Sequence, residues 1–187
     1  SDVNLTDDAA KVLTHRDIDI VVELIGGIEP ARTFILQAID NGKHVVTANK
    51  ALLARHGNEI FAAAHRKGVM VAFEGAVAGG VPIIKALREG LTANRIGWIA
   101  GIINRTSNFI LSEMRAKGAS FATVLKEAQA RGYAEADPTY DIEGVDAAHK
   151  LTIMSAIAFG VPVQFDKVYT EGISRLTGED INYAEEM

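Results

Sequence analysis

The sequence predicts an α/β protein: the later part of a doubly wound parallel sheet over residues 1–73, then an α+β domain over 74–187 with a sheet covered by helices. Three observations carry that expectation. Short β-branched runs alternate with amphipathic stretches up to Phe73, the pattern of a parallel sheet with crossover helices. A glycine-rich segment, Glu74 to Pro82, then breaks the alternation. No G-x-G-x-x-G occurs among the 187 residues, so the phosphate-cradling turn that opens many such sheets is missing, and residues 1–73 read as the second half of one.

Each element has a local signal. Residues 18–25, Ile-Asp-Ile-Val-Val-Glu-Leu-Ile, read as a buried strand ending at Gly26-Gly27. Pro30 opens a helix whose apolar stripe is Phe34, Ile35, Ala38 and Ile39, stopped by Asn41-Gly42. Residues 43–47 form the next strand, a helix runs from about Asn58 to Arg66, and residues 69–73 form a third strand. After the glycine-rich loop, Pro82 opens a helix to about Glu89, and residues 95–104 make a long strand candidate. Helices follow over 107–117, over 120–131 with Ser120 as cap, and over 145–159 closed by Gly160. Residues 133–143 are acidic and irregular around Pro138.

Composition removes several function classes. Lys plus Arg is 19 and Asp plus Glu is 24, a formal charge of −5, which lacks the basic footprint of a nucleic-acid binder. Apolar residues at 48% and charged residues at 23% fit a globular chain and not a disordered one. With no cysteine, disulfide frameworks, thiolate metal sites and thiol nucleophiles are excluded from these residues. No apolar run reaches transmembrane length and no basic-then-apolar leader is visible, so the expectation is a cytoplasmic protein without a membrane partner.

Chemistry concentrates in three places. Glu135, Asp137, Asp141, Glu143 and Asp146 put five carboxylates within twelve residues, with no basic residue among them. Such a run is often a solvated loop, but Asp146 and Lys150 follow at i, i+4, on one face of the next helix. That spacing gives either an ordinary surface ion pair or a lysine whose ammonium is held and oriented by a carboxylate, beside loop acids able to grip a cationic substrate group. Lys50 closes Val45-Val46-Thr47-Ala48-Asn49-Lys50 at the C-terminal end of a parallel strand, where open α/β sheets place ligands, and Gly26-Gly27 sits at the equivalent end of the preceding strand. The loop 74–82, with its three glycines Gly75, Gly79 and Gly80 and the lone Glu74, can surround a hard cation with oxygens, or serve as a tight hinge. The five histidines show no metal-ligand spacing and read as structural or surface groups.

Val46-Thr47-Ala48-Asn49-Lys50, the Glu74-to-Pro82 loop, and above all Gly132-Tyr133-Ala134-Glu135-Ala136-Asp137-Pro138 through Asp141, Gly144, Asp146 and Lys150 resemble homoserine dehydrogenase. The resemblance runs from about residue 17 to the end. It implies NADPH- or NADH-dependent reduction of L-aspartate 4-semialdehyde to L-homoserine, on the route to threonine, methionine and isoleucine. It also implies that Lys150 is the catalytic lysine, with Asp146 beside it, and that Lys50 stands at the junction of cofactor and substrate. Glu135 and Asp141 match the acids that bind the amino-acid end of the substrate. Gly26, Gly27, Thr47, Lys50 and Gly172 would border NADP or NAD. Glu74, with the carbonyls of Val77, Gly79 and Val81, would hold a monovalent cation, sodium or potassium. By the same resemblance, residues 1–73 are the C-terminal part of a Rossmann-like NAD(P)-binding domain and 74–187 a catalytic and dimerisation domain forming a homodimer through 95–104. One departure is Asn104-Arg105-Thr106 where the family often reads Asn-Gly-Thr.

Two rivals differ in chemistry. Aspartate-semialdehyde dehydrogenase handles the same aldehyde but needs a cysteine nucleophile, absent here. A non-catalytic dimerisation or ligand-sensing module would keep the fold, yet has little reason to hold two lysines and this set of acids together. Lacking the G-x-G-x-x-G turn, the 187 residues alone are expected to be inactive.

Overall fold

Three β-branched runs become the strands of one parallel sheet in the computed structural model, which describes residues 3–187. The residues up to Gly97 pack with Lys150–Asp166 as one unit, and Trp98–His149 pack with Lys167–Met187 as a second.

In the first unit, α1 (Ala9–Thr14) precedes β1 (Ile20–Glu23), α2 (Ala31–Asp40), β2 (His44–Thr47), α3 (Lys50–Lys67) and β3 (Val71–Ala72). The strand order is β1-β2-β3, all parallel, with Val22 beside Val46 and Val45 beside Val71. This is the α/β class the alternation predicts. The helix stripes supply the core: Ile35, Ala38 and Ile39 from α2, Leu52, Leu53 and Ile60 from α3, and Val45 from β2 are buried. Arg32 of α2 reaches Glu59 of α3 with two 2.8 Å hydrogen bonds. This fork-to-fork pairing holds the Glu59 carboxyl below its usual range. Lys43 is buried, and its Nζ donates to the carbonyls of His15 and Ile18, both at 2.6 Å, which pins the chain leading into β1. A short α4 (Ile83–Lys85) and a wide turn over Ala86–Gly90 follow the glycine-rich loop.

The second unit is helical: α5 (Arg105–Lys117), α6 (Phe121–Ala130), α7 (Thr139–Ile142) and α9 (Gly178–Glu186), with α8 (Val145–Phe159) divided between the units after His149. Ile110 and Met114 of α5 meet Val124 and Ala128 of α6 and Ala134 in its core. Ser120 caps α6 through the N–H of Thr123, as the sequence predicts. Thr177 and Asp180 close a reciprocal capping box on α9.

Three expectations change. The strand expected over 18–25 is limited to Ile20–Glu23 and is not buried on both faces. Ile20 and Val22 are exposed and only Glu23 is fully inside, because helices cover one face of the sheet and the alternate residues point from the other. The helix expected from Asn58 begins at Lys50, since the Asn49 side chain accepts from the N–H of Leu52 and starts it eight residues earlier. The strand expected over 95–104 does not form. An extended run needs a neighbouring backbone to pair with, and among the described residues the only sheet is the three-stranded one. Trp98 and Ile102 stand exposed there. Among the described residues, no helix is long and apolar enough to cross a membrane.

Candidate active site

The C-terminal ends of β1 and β2 carry a hydrogen-bonded knot. Glu23, the last residue of β1, is only 4% exposed. One carboxylate oxygen accepts from the N–H groups of Ile25 and Gly26, at 2.8 and 3.1 Å, and the other from Thr47 Oγ1 at 2.7 Å. Thr47 Oγ1 in turn accepts from the N–H of Asn49, and Asn49 Nδ2 donates to the Gly27 carbonyl at 2.7 Å. The Gly26-Gly27 turn is therefore tied to the strand end on both sides. Both glycines have φ above +70° and a Cβ at either would meet nothing within 4 Å, so the turn is exposed backbone in a conformation that suits glycine. Open backbone at the ends of parallel strands fits a dinucleotide lying across it. Thr47 is buried, whereas Lys50, the first residue of α3, is half-buried.

Of the five clustered acids, two are brought together by a residue that spacing does not reveal. Asn104 Nδ2 donates to Asp141 Oδ1 at 2.7 Å and to Asp146 Oδ2 at 3.0 Å, while its Oδ1 accepts from the N–H of Ser107 at 2.8 Å. Ser107 Oγ adds a 3.0 Å bond to the Asp141 carbonyl. Asn104 and Asp146 are both buried.

The other acids are placed differently. Asp137 accepts from the hydroxyl and N–H of Thr139, which starts α7 and holds its carboxyl below the usual range. Glu143 accepts from Ser174 Oγ at 2.7 Å. Glu135 is exposed, and its carbonyl accepts from Gln129 Nε2 at 3.1 Å. Lys150 is half-buried on α8, one turn after Asp146. Gly172 lies where a Cβ would come within 2.8 Å of Glu143 Cα and the Ile142 carbonyl, so the returning chain presses directly on the end of α7. The Arg105 guanidinium lies over the Tyr133 ring, 4.6 Å from its centre. His149 is fully buried beside Tyr140.

In the loop after β3, Glu74 accepts from the N–H groups of Ile84 and Lys85, both at 2.9 Å, and the Val81 carbonyl accepts from Ile83. Carboxylate and carbonyl oxygens each retain lone pairs beyond these bonds, so the donor set has the hard-oxygen character a monovalent cation requires. Among the described residues, no group of three or more His, Cys, Asp or Glu side chains could hold a metal ion.

Residues 82–187 match the family model described as homoserine dehydrogenase, and residues 1–74 match that of the homoserine dehydrogenase NAD-binding domain. The chain belongs to the homoserine dehydrogenase family. It is 69% identical over 97% of its length to a homoserine dehydrogenase of Pseudomonas aeruginosa, and 66% identical over 96% to one of Neisseria gonorrhoeae. It spans 42% and 41% of those relatives. A crystal structure of a homoserine dehydrogenase from Thiobacillus denitrificans superposes with a TM-score of 0.94 at 74% identity, covering 97% of this chain and 42% of that one. A hyperthermophilic archaeal homoserine dehydrogenase in complex with NADPH superposes with a TM-score of 0.81 at 28% identity, covering 91% and 53%. Family membership agrees with the resemblance carried by the 132–150 block. Glu23 and Asn104 are the two site-region residues that sequence reasoning passed over. Their signals were an acid inside an apolar strand and an Asn three residues ahead of a helical Ser.

Proposed function

We propose that this chain is part of a cytoplasmic oxidoreductase that reduces L-aspartate 4-semialdehyde to L-homoserine with NADPH or NADH. The observation that carries the proposal is the 69% identity, over 97% of the chain, to a protein named homoserine dehydrogenase. Residues 1–73 serve as the C-terminal part of the nucleotide domain and 74–187 as the catalytic and dimerisation domain. Gly26, Gly27, Thr47, Lys50 and Gly172 border the cofactor, which supplies the hydride when bound. As the aldehyde carbon takes that hydride, its oxygen gains negative charge. The Lys150 ammonium, assisted by Lys50, stabilises the charge and donates the proton. Asp146, one turn away on α8, is the acid beside Lys150 and orients its ammonium. Glu135 and Asp141 pair with the substrate ammonium, far from the reacting carbon, and so act by positioning. Glu74 with the carbonyls of Val77, Gly79 and Val81 holds a monovalent cation.

The test is NADPH oxidation by a full-length enzyme carrying this segment. Aspartate semialdehyde is expected to support turnover, and the reverse reaction to need L-homoserine. Turnover with neither substrate would overturn the proposal. The assembly we propose is a homodimer through residues 95–104, supported by the exposure of Trp98 and Ile102. Sedimentation of the full-length enzyme as a dimer, and of its Trp98→Glu variant as a monomer, is the expected outcome. A parent that sediments as a monomer would contradict it.

A further inference from the structure

We propose that Asn104 is a positioning residue that sets Asp141 and Asp146 for their work; this rests on the functional reading above. Two carboxylates held near one another repel, and each is costly to bury without a donor. Asn104 supplies one donor to each, at 2.7 and 3.0 Å, from a single planar Nδ2. A primary amide has two N–H donors, and both are used here. The orientation of that amide is fixed from its other end, because Oδ1 accepts the Ser107 N–H as the cap of α5. A helix end, rigid by its own hydrogen bonding, thus aims one amide at two acids 37 and 42 residues further along the chain. Asp141 is the acid assigned to the substrate ammonium and Asp146 the acid beside Lys150. Asn104 therefore couples the substrate-binding carboxylate to the one that holds the lysine.

The cap and the clamp can be separated. Asn104→Asp keeps a good capping oxygen for Ser107 but turns the donor pair into a third carboxylate facing the other two. Adding Asp141→Asn to it brings the trio back to two carboxylates and one amide, which at 141 can donate to the new carboxylate at 104 while that carboxylate still faces Asp146. In the full-length enzyme Asn104→Asp is expected to lower Tm, and Asn104→Asp with Asp141→Asn, which relieves one of the two repulsions, to recover part of the loss. Misplacement of reacting groups by an ångström costs about 10²-fold. Accordingly, Asn104→Asp should raise KM for the amino-acid substrate and lower kcat, each by about 10-fold, while KM for NADPH stays within two-fold. Asn104→Ser, which keeps the cap and loses the amide, should move the kinetic constants in the same direction with a smaller change in Tm.

No recovery of Tm in the double variant would overturn the clamp. Recovery of Tm with substrate KM and kcat of Asn104→Asp within two-fold of the parent would overturn the positioning role. A parent enzyme without homoserine turnover, but with Tm recovered in the double variant, would refute the functional reading and uphold the clamp.

Discussion

Lys150→Ala in a full-length enzyme is expected to lower kcat by about 10²-fold or more, the low end of what a positioned general acid contributes. The cause is the loss of the group that meets charge on the aldehyde oxygen and returns the proton to it. Lys150→Arg is the informative companion. A guanidinium keeps the positive charge but does not release a proton at accessible pH. It should therefore restore part of the electrostatic stabilisation and none of the proton transfer, leaving kcat between the alanine variant and the parent. KM for NADPH should stay within two-fold in both, since the lysine is assigned to the substrate oxygen. Turnover of the alanine variant within a few-fold of the parent would remove Lys150 from the chemistry.

What was legible in the sequence follows from what periodicity encodes. The alternation of β-branched and amphipathic runs to Phe73 predicted a parallel sheet with intervening helices, and β1, β2 and β3 with α2 and α3 form it. Periodicity reports which side chains want burial; it does not report a hydrogen-bond partner. Residues 95–104 have the side chains of a strand and do not form one in this structure. The start of α3 was hidden for a related reason. Thr47-Ala48-Asn49-Lys50 reads equally as a strand-end loop, and only the Asn49 side chain on the Leu52 N–H decides for a helix.

The acidic block shows the same limit at the site. Charge density marked the segment from Glu135 to Asp146, but density could not divide its members by task. Asp137 starts a helix through Thr139, Glu143 meets the returning chain at Ser174, and Asp141 and Asp146 share Asn104. Each division depends on a partner outside the block or on a hydrogen bond within it. The sharing residue lies 37 residues before Asp141, beyond the reach of any local motif.

Glu23→Ala is expected to produce the largest loss of stability among changes at the strand ends. The Glu23 carboxylate is the common acceptor for two backbone N–H groups and the Thr47 hydroxyl, and the residue is buried to 4% exposure. Truncation removes all three bonds at once and leaves the buried Thr47 hydroxyl to find another partner. Hydrogen bonds to charged groups contribute about 1.5–3 kcal/mol each, and stranding a buried donor has its own cost. Water can re-solvate the exposed N–H of Gly26, so the net loss is about 3 kcal/mol rather than the sum. Glu23→Gln keeps an acceptor oxygen but turns an N–H₂ toward a donor, and should fall between the alanine variant and the parent. The measurement is the urea midpoint of the full-length enzyme, with KM for NADPH beside it. Because the same carboxylate ties down the Gly26-Gly27 turn, KM for NADPH should rise in step with the loss of stability across the two variants. A Glu23→Ala enzyme that unfolds at the parent's midpoint would show that the strand-end knot does not depend on this charge. One that is destabilised but binds NADPH as the parent does would separate the knot from the cofactor.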